Sequence, residues 1–131
     1  MKRTRALLWV VGVVQLVLGL GYSLAPQALL HWMGHSPISN DIAYPLGMLA
    51  SRFLVYGVLL MVAARNPAEH RMLMLGMVWI QVLDLAAGLY FTAAGVVGIA
   101  LSGFPMFNAA VIALLMWLWM PAAAMASGRA R

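Results

Sequence analysis

Four apolar runs dominate this chain, at about residues 6–25, 42–64, 72–94 and 104–120, and the connections between them are short. Each run, as a helix rising about 1.5 Å per residue, can cross the roughly 30 Å hydrocarbon layer of a bilayer. In lipid every backbone polar group must be paired internally, so only helices and closed barrels span. Continuous apolar runs lack the in–out alternation of a barrel strand. The expected fold is therefore all-α: a four-helix transmembrane bundle forming a single integral membrane domain over residues 1–131. Composition agrees, with 65% hydrophobic and 8% charged residues and a mean hydropathy of +0.95. A soluble domain carries about 25% charged residues.

Local signals place the boundaries. The first run follows a basic segment, but it is longer than the roughly 7–15 apolar residues of a signal peptide and is expected to be a retained helix. Pro26 ends it. Residues 26–34 read as a short interfacial helix, with proline in the first turn and Gly34 as its C-terminal cap. Trp32 is expected as its interface anchor. Asn40 or Asp41 is the expected cap of the second span, whose Pro45 falls in the first turn. Asn66-Pro67-Ala68-Glu69 reads as the capped start of the third span. Residues 95–103 are expected to form the last turn, with Ser102 capping the fourth span. The tail 122–131 is expected to fray.

The net charge of +5 does not form a nucleic-acid-binding stripe. Lys2, Arg3 and Arg5, Arg65 and Arg71, and Arg129 and Arg131 lie at the two termini and in the middle connection, while 26–41 and 95–103 hold no lysine or arginine. By the positive-inside rule both termini and the middle connection are expected in the cytoplasm. The lipid bilayer, not nucleic acid, is the expected partner. The chain has no cysteine, which excludes disulfides, thiolate metal sites and thiol redox chemistry.

Arg52 and Asp84 are ionisable residues inside the apolar runs. With the turn between spans two and three centred near Asn66, Arg52 lies 14 residues before it and Asp84 lies 18 after. In antiparallel neighbours that offset of four residues is about 6 Å along the axis, within an arginine's reach. A lone charge at mid-membrane costs about 2.5–3.5 kcal/mol on insertion scales, so a buried pair is expected. Tyr56 shares Arg52's helical stripe; Gln81 and Gly88 share that of Asp84. Gln15 falls near the depth of Gln81, and Asn108 enters from the outer end of span four. These residues predict a polar seam inside the bundle. It can serve as a ligand site made by Arg52, Asp84, Tyr56, Gln81, Gln15 and Asn108, or it can only fix helix register.

Other polar and sulfur-bearing residues carry weaker signals. His31 and His35 have a metal-compatible spacing, but Gly34 interrupts it and Asp41 is the only nearby carboxylate, so interfacial and capping roles are expected. His70 sits in the basic turn. The 11 methionines are scattered and read as flexible apolar filler. Glycines 12, 19, 21, 57, 76 and 88 allow close helix approach. Neither a phosphate loop nor a serine–histidine–carboxylate set is present. No catalytic residue, metal site or cofactor is predicted.

The segments Tyr44-Pro45-Leu46-Gly47-Met48-Leu49-Ala50-Ser51-Arg52-Phe53, Ala63-Ala64-Arg65-Asn66-Pro67, Gln81-Val82-Leu83-Asp84-Leu85-Ala86-Ala87-Gly88 and Leu101-Ser102-Gly103-Phe104-Pro105-Met106-Phe107-Asn108 together resemble the small BphX-like membrane proteins of bacteria, within the wider DoxX-like group. The resemblance implies a four-span protein of the bacterial inner membrane, without an established activity. It also implies links to aromatic degradation, quinone-coupled sulfur oxidation or accessory roles in membrane complexes, and it supplies no settled catalytic residues. Three functional expectations follow. The first is a non-enzymatic accessory or scaffold component, associating with itself or with another membrane subunit. The second is a binder or carrier of a small apolar or aromatic molecule, such as a quinone, at Arg52 and Asp84. The third is a membrane oxidoreductase subunit.

Overall fold

The structure, a computed structural model, describes residues 1–123. It is all-α. Helix α1 covers Lys2–Leu24, the short α2 Pro26–Trp32, α3 Ala43–Ala63, α4 Arg71–Ala93 and α5 Ile99–Leu118, with a single 3-10 turn at Asn40–Ile42 before α3. The four long helices are long and apolar enough to cross a membrane. Most of the small basic tail, with Arg129 and Arg131, lies outside the described residues.

The chain breaks where its residues demand it. Ala25 leaves the helical region (φ −145°, ψ 60°), which the following proline disfavours, and Pro26 opens α2. Gly34 adopts φ +92°. The N–H of Gly34 then donates to the His31 carbonyl and that of His35 to the Leu30 carbonyl, both at 3.0 Å, a Schellman cap. Gly95 (φ +73°) ends α4 the same way, through Gly95 N–H to Thr92 O and Val96 N–H to Phe91 O.

Three expected starts are corrected. Neither Asn40 nor Asp41 caps α3 with its side chain; Asn40 Oδ1 instead accepts from Gln27 Nε2 at 2.9 Å. Residues 67–70 form a turn closed by Glu69 N–H to Asn66 O and His70 N–H to Pro67 O, and α4 begins only at Arg71. Helix α5 starts at Ile99, after the extended Gly98, so Ser102 lies within it and Pro105 is an interior proline. An apolar stretch such as 96–101 offers no polar punctuation to mark a helix start.

Helices α1 and α3 pack most closely, followed by α4 and α5, while α3 and α4 meet sparsely. Spans two and three, and spans three and four, are neighbours as their short connections imply, but the most extensive contact joins spans one and two. Glycine explains it. A Cβ at Gly12 would fall 3.0 Å from the Gly57 carbonyl, one at Gly57 3.0 Å from the Gly12 carbonyl, and one at Gly19 3.0 Å from the Leu54 nitrogen. Only hydrogen side chains allow backbones this near. Between α3 and α4 the contact is a side chain on a glycine, with the Tyr56 hydroxyl at Gly76.

The end carrying the N-terminus, the 64–70 connection and the end of α5, here the basic end, holds the main core. Leu8, Leu60, Met74, Met77 and Met116 are fully buried there, drawn from all four long helices. Hydrogen bonds tie that end together, from Thr4 Oγ1 to the Trp119 carbonyl (2.9 Å) and from Arg71 Nε to the Pro121 carbonyl (3.1 Å). At the other end a second cluster unites only α1, α2 and α3, through Tyr22, Leu30 and Ala50.

Candidate functional site

Beyond the basic-end core the two helix pairs part and leave a half-open cavity of about 310 Å³ lined by all four long helices. The helical spacing of its lining is regular. Helix α1 contributes Val14, Gln15, Leu18 and Tyr22; α3 Leu49, Arg52 and Phe53; α4 Gln81, Asp84 and Gly88; α5 Ser102, Pro105, Met106, Asn108, the buried Ala109 and Ile112. Each set follows the three-to-four-residue period of one helix face. Met33, just past α2, adds a wall and lies 3.8 Å from the Tyr22 hydroxyl through its sulfur.

Arg52 and Asp84 do pair, as their offset predicts. Arg52 Nη2 donates to Asp84 Oδ2 at 3.5 Å, the sole direct contact between the two groups. That is long beside the roughly 2.7–2.9 Å of a tight charge-assisted bond and lacks the forked geometry arginine can offer. The pair is not buried: the side chains are 37% and 42% exposed. The expectation of a buried ion pair is corrected: α3 and α4 meet sparsely, with Tyr56 against Gly76 nearer the basic end, and the pair beyond that contact stays open to the surface. The Arg52 guanidinium carbon lies 5.3 Å from the Phe53 ring centroid, in cation–π range.

Of the other predicted site residues, Gln15, Gln81 and Asn108 line the cavity. Gln15 and Gln81 are buried, at its closed end; Asn108 is exposed at its rim and mid-helix, because α5 begins earlier than expected. Tyr56 is not in the lining. It packs against the basic-end core instead. The sequence reading passed over Tyr22 and Phe53, whose rings stack at 5.8 Å and 9°, and also Ser102 and Met106. Tyr22 was findable, being seven residues after Gln15 on the same stripe. Met106 was not, because only the structure shows it filling the space that a Cβ at Gly88 would need, 2.5 Å from its Cγ. Thr92 and Ser102 join α4 to α5 beside the cavity through hydroxyls 2.7 Å apart.

His31 and His35 both line a separate recess of about 180 Å³ with Gln27, Ser36 and Pro37. Among the described residues no three histidine, cysteine or carboxylate side chains stand close enough to share a metal. Comparison with protein-family models, with curated proteins and with solved structures finds no match. The chain therefore stands as a small four-span membrane protein without a family assignment.

Proposed function

We propose that this protein binds a small, mainly apolar molecule within the membrane, in the cavity between its two helix pairs. The observation that carries the reading is the composition of that space. Its walls are apolar and aromatic, and a few polar groups, the amides of Gln15, Gln81 and Asn108 and the Arg52–Asp84 pair, converge on it. Small-molecule sites are typically built this way. Arg52, Asp84, Gln15, Gln81 and Asn108 are the proposed ligand-contacting residues, and Tyr56 supports them from outside. The lysine and arginine distribution supports a topology with both termini in the cytoplasm, and the motif resemblance to BphX-like proteins favours a bacterial inner membrane. Mass spectrometry of protein extracted in mild detergent tests the reading. A co-purifying small molecule retained by the unaltered protein is expected to be lost from Ala109→Phe, which fills the cavity from α5. Equal retention by both would count against it.

An accessory or scaffold role is the second reading, supported by the Arg52–Asp84 contact across the otherwise sparse α3–α4 seam. It expects the double replacement Arg52→Met with Asp84→Leu to change helix association without changing what co-purifies.

A further inference from the structure

The two amides at the closed end of the cavity have more hydrogen-bonding capacity than the protein uses. Gln15 and Gln81 are each 5% exposed. Each stands one turn above the sealed core, Gln15 four residues past Val11 and Gln81 three past Val78. Among the described residues Gln81 Nε2 donates to Met77 Sδ on its own helix at 3.7 Å, a weak acceptor, and Gln15 makes no side-chain hydrogen bond. Yet no fully enclosed side-chain nitrogen or oxygen there lacks a partner, so the unused amide atoms face the open space. Each amide offers two donors and an accepting carbonyl, and leaving these unmet at low dielectric is unfavourable.

The charge balance narrows what can meet them. Arg52 and Asp84 carry the only charges among the lining residues, and they oppose each other. An ion entering would have to break that pair or sit unpaired inside the membrane, both costly. A neutral group that both donates and accepts matches the amides without either cost. The volume sets the size: about 310 Å³ is some twice the roughly 150 Å³ that admits benzene, room for two fused rings. Tyr22 and Phe53 supply an aromatic wall.

We infer that the cavity selects an uncharged, bicyclic-sized molecule bearing a hydroxyl or carbonyl group, which Gln15 and Gln81 hydrogen-bond while Arg52 and Asp84 stay paired. This rests on the binding reading above and assigns the ligand's polar group to the amides rather than to the ion pair.

Three probes of one shape test it: 2-naphthol, naphthalene and 2-naphthoate, titrated at pH 7 into the full protein in lipid nanodiscs, with empty nanodiscs subtracted. The expected result is 2-naphthol binding at least about tenfold tighter than either other probe, as a matched buried hydrogen bond implies. In the double variant Gln15→Leu with Gln81→Leu, the naphthol advantage over naphthalene disappears while naphthalene still binds. Tightest binding of 2-naphthoate would overturn the inference, placing the polar group at Arg52, and so would a naphthol advantage unchanged in the double variant; both leave the binding reading intact. Saturable binding of none of the three would overturn the binding reading itself. The probe series on the unaltered protein needs no variant to fold.

Discussion

At the basic end, Leu8 of α1, Leu60 of α3, Met74 and Met77 of α4 and Met116 of α5 are fully buried against one another; at the other end the same helices surround open space. The transition takes one turn. Met77 and Val78 of α4 belong to the sealed core, and Gln81 already faces the cavity. Between helices in lipid, packing and polar contacts replace the hydrophobic effect, and the two halves use them differently. Flexible methionines close the first half around side chains of all four helices. The second is held by the Gly19–Leu54 approach and the Tyr22–Leu30–Ala50 cluster of α1, α2 and α3, by the Thr92–Ser102 hydroxyls within α4–α5, and by one long ion-pair contact between the pairs. Stability resides in the first half and chemical capacity in the second.

Equivalent truncations in the two halves should therefore differ. Leu60→Ala opens a void in the core, and a loss of about 2–5 kcal/mol is expected. Leu49→Ala removes a side chain that already borders open space, creates little new void, and should cost no more than about 1 kcal/mol. Reversible unfolding in mixed micelles measures both; equal losses would erase the distinction. Next comes Gly57→Val. Its added carbon would fall 2.7 Å from Leu16 Cγ and 3.0 Å from the Gly12 carbonyl, and a loss of about 1–3 kcal/mol is expected from overpacking. Gly98→Ala, where nothing lies within 4 Å of an added Cβ, is its control and should be near neutral in the same assay.

Smaller effects are expected where the pairs meet. In a double-mutant cycle, Arg52→Met and Asp84→Leu should show a coupling of about 0.6 kcal/mol and no more than about 1.7 kcal/mol, the average and maximum for interhelical polar contacts in membranes. Asp84→Leu alone should destabilise more than the double replacement, because it strands the arginine. A coupling near zero would make the contact incidental. Within the α4–α5 pair, Thr92→Val should cost about 0.5–1 kcal/mol for the lost hydroxyl bridge, read in the same assay.

Much of this was legible in the sequence, and what was not has a physical cause. Hydropathy located the four spans, although α5 starts five residues before the expected 104, since glycine and proline at 103 and 105 imitate a boundary that lipid-buried helices tolerate. Counting residues from the Asn66 turn paired Arg52 with Asp84, because helix rise converts sequence offset into depth. The same count says nothing of lateral position, and so missed that the pair is exposed. Short connections make α3 and α4 neighbours, but the glycines that bring α1 closest to α3 were not weighed against them. The stripe containing Gln81, Asp84 and Gly88 was correct as drawn, whereas Tyr56, on Arg52's stripe, turned out to lie below the cavity against the core.

The most direct test of the two-halves account uses the chain's lack of cysteine. Met77→Cys and Gln81→Cys place single thiols one turn apart on α4, and N-ethylmaleimide labelling of the folded protein in nanodiscs compares them. Rapid labelling is expected at 81 and protection at 77 until the protein is unfolded. Equal protection at both positions would contradict an open, reagent-accessible space beside Gln81.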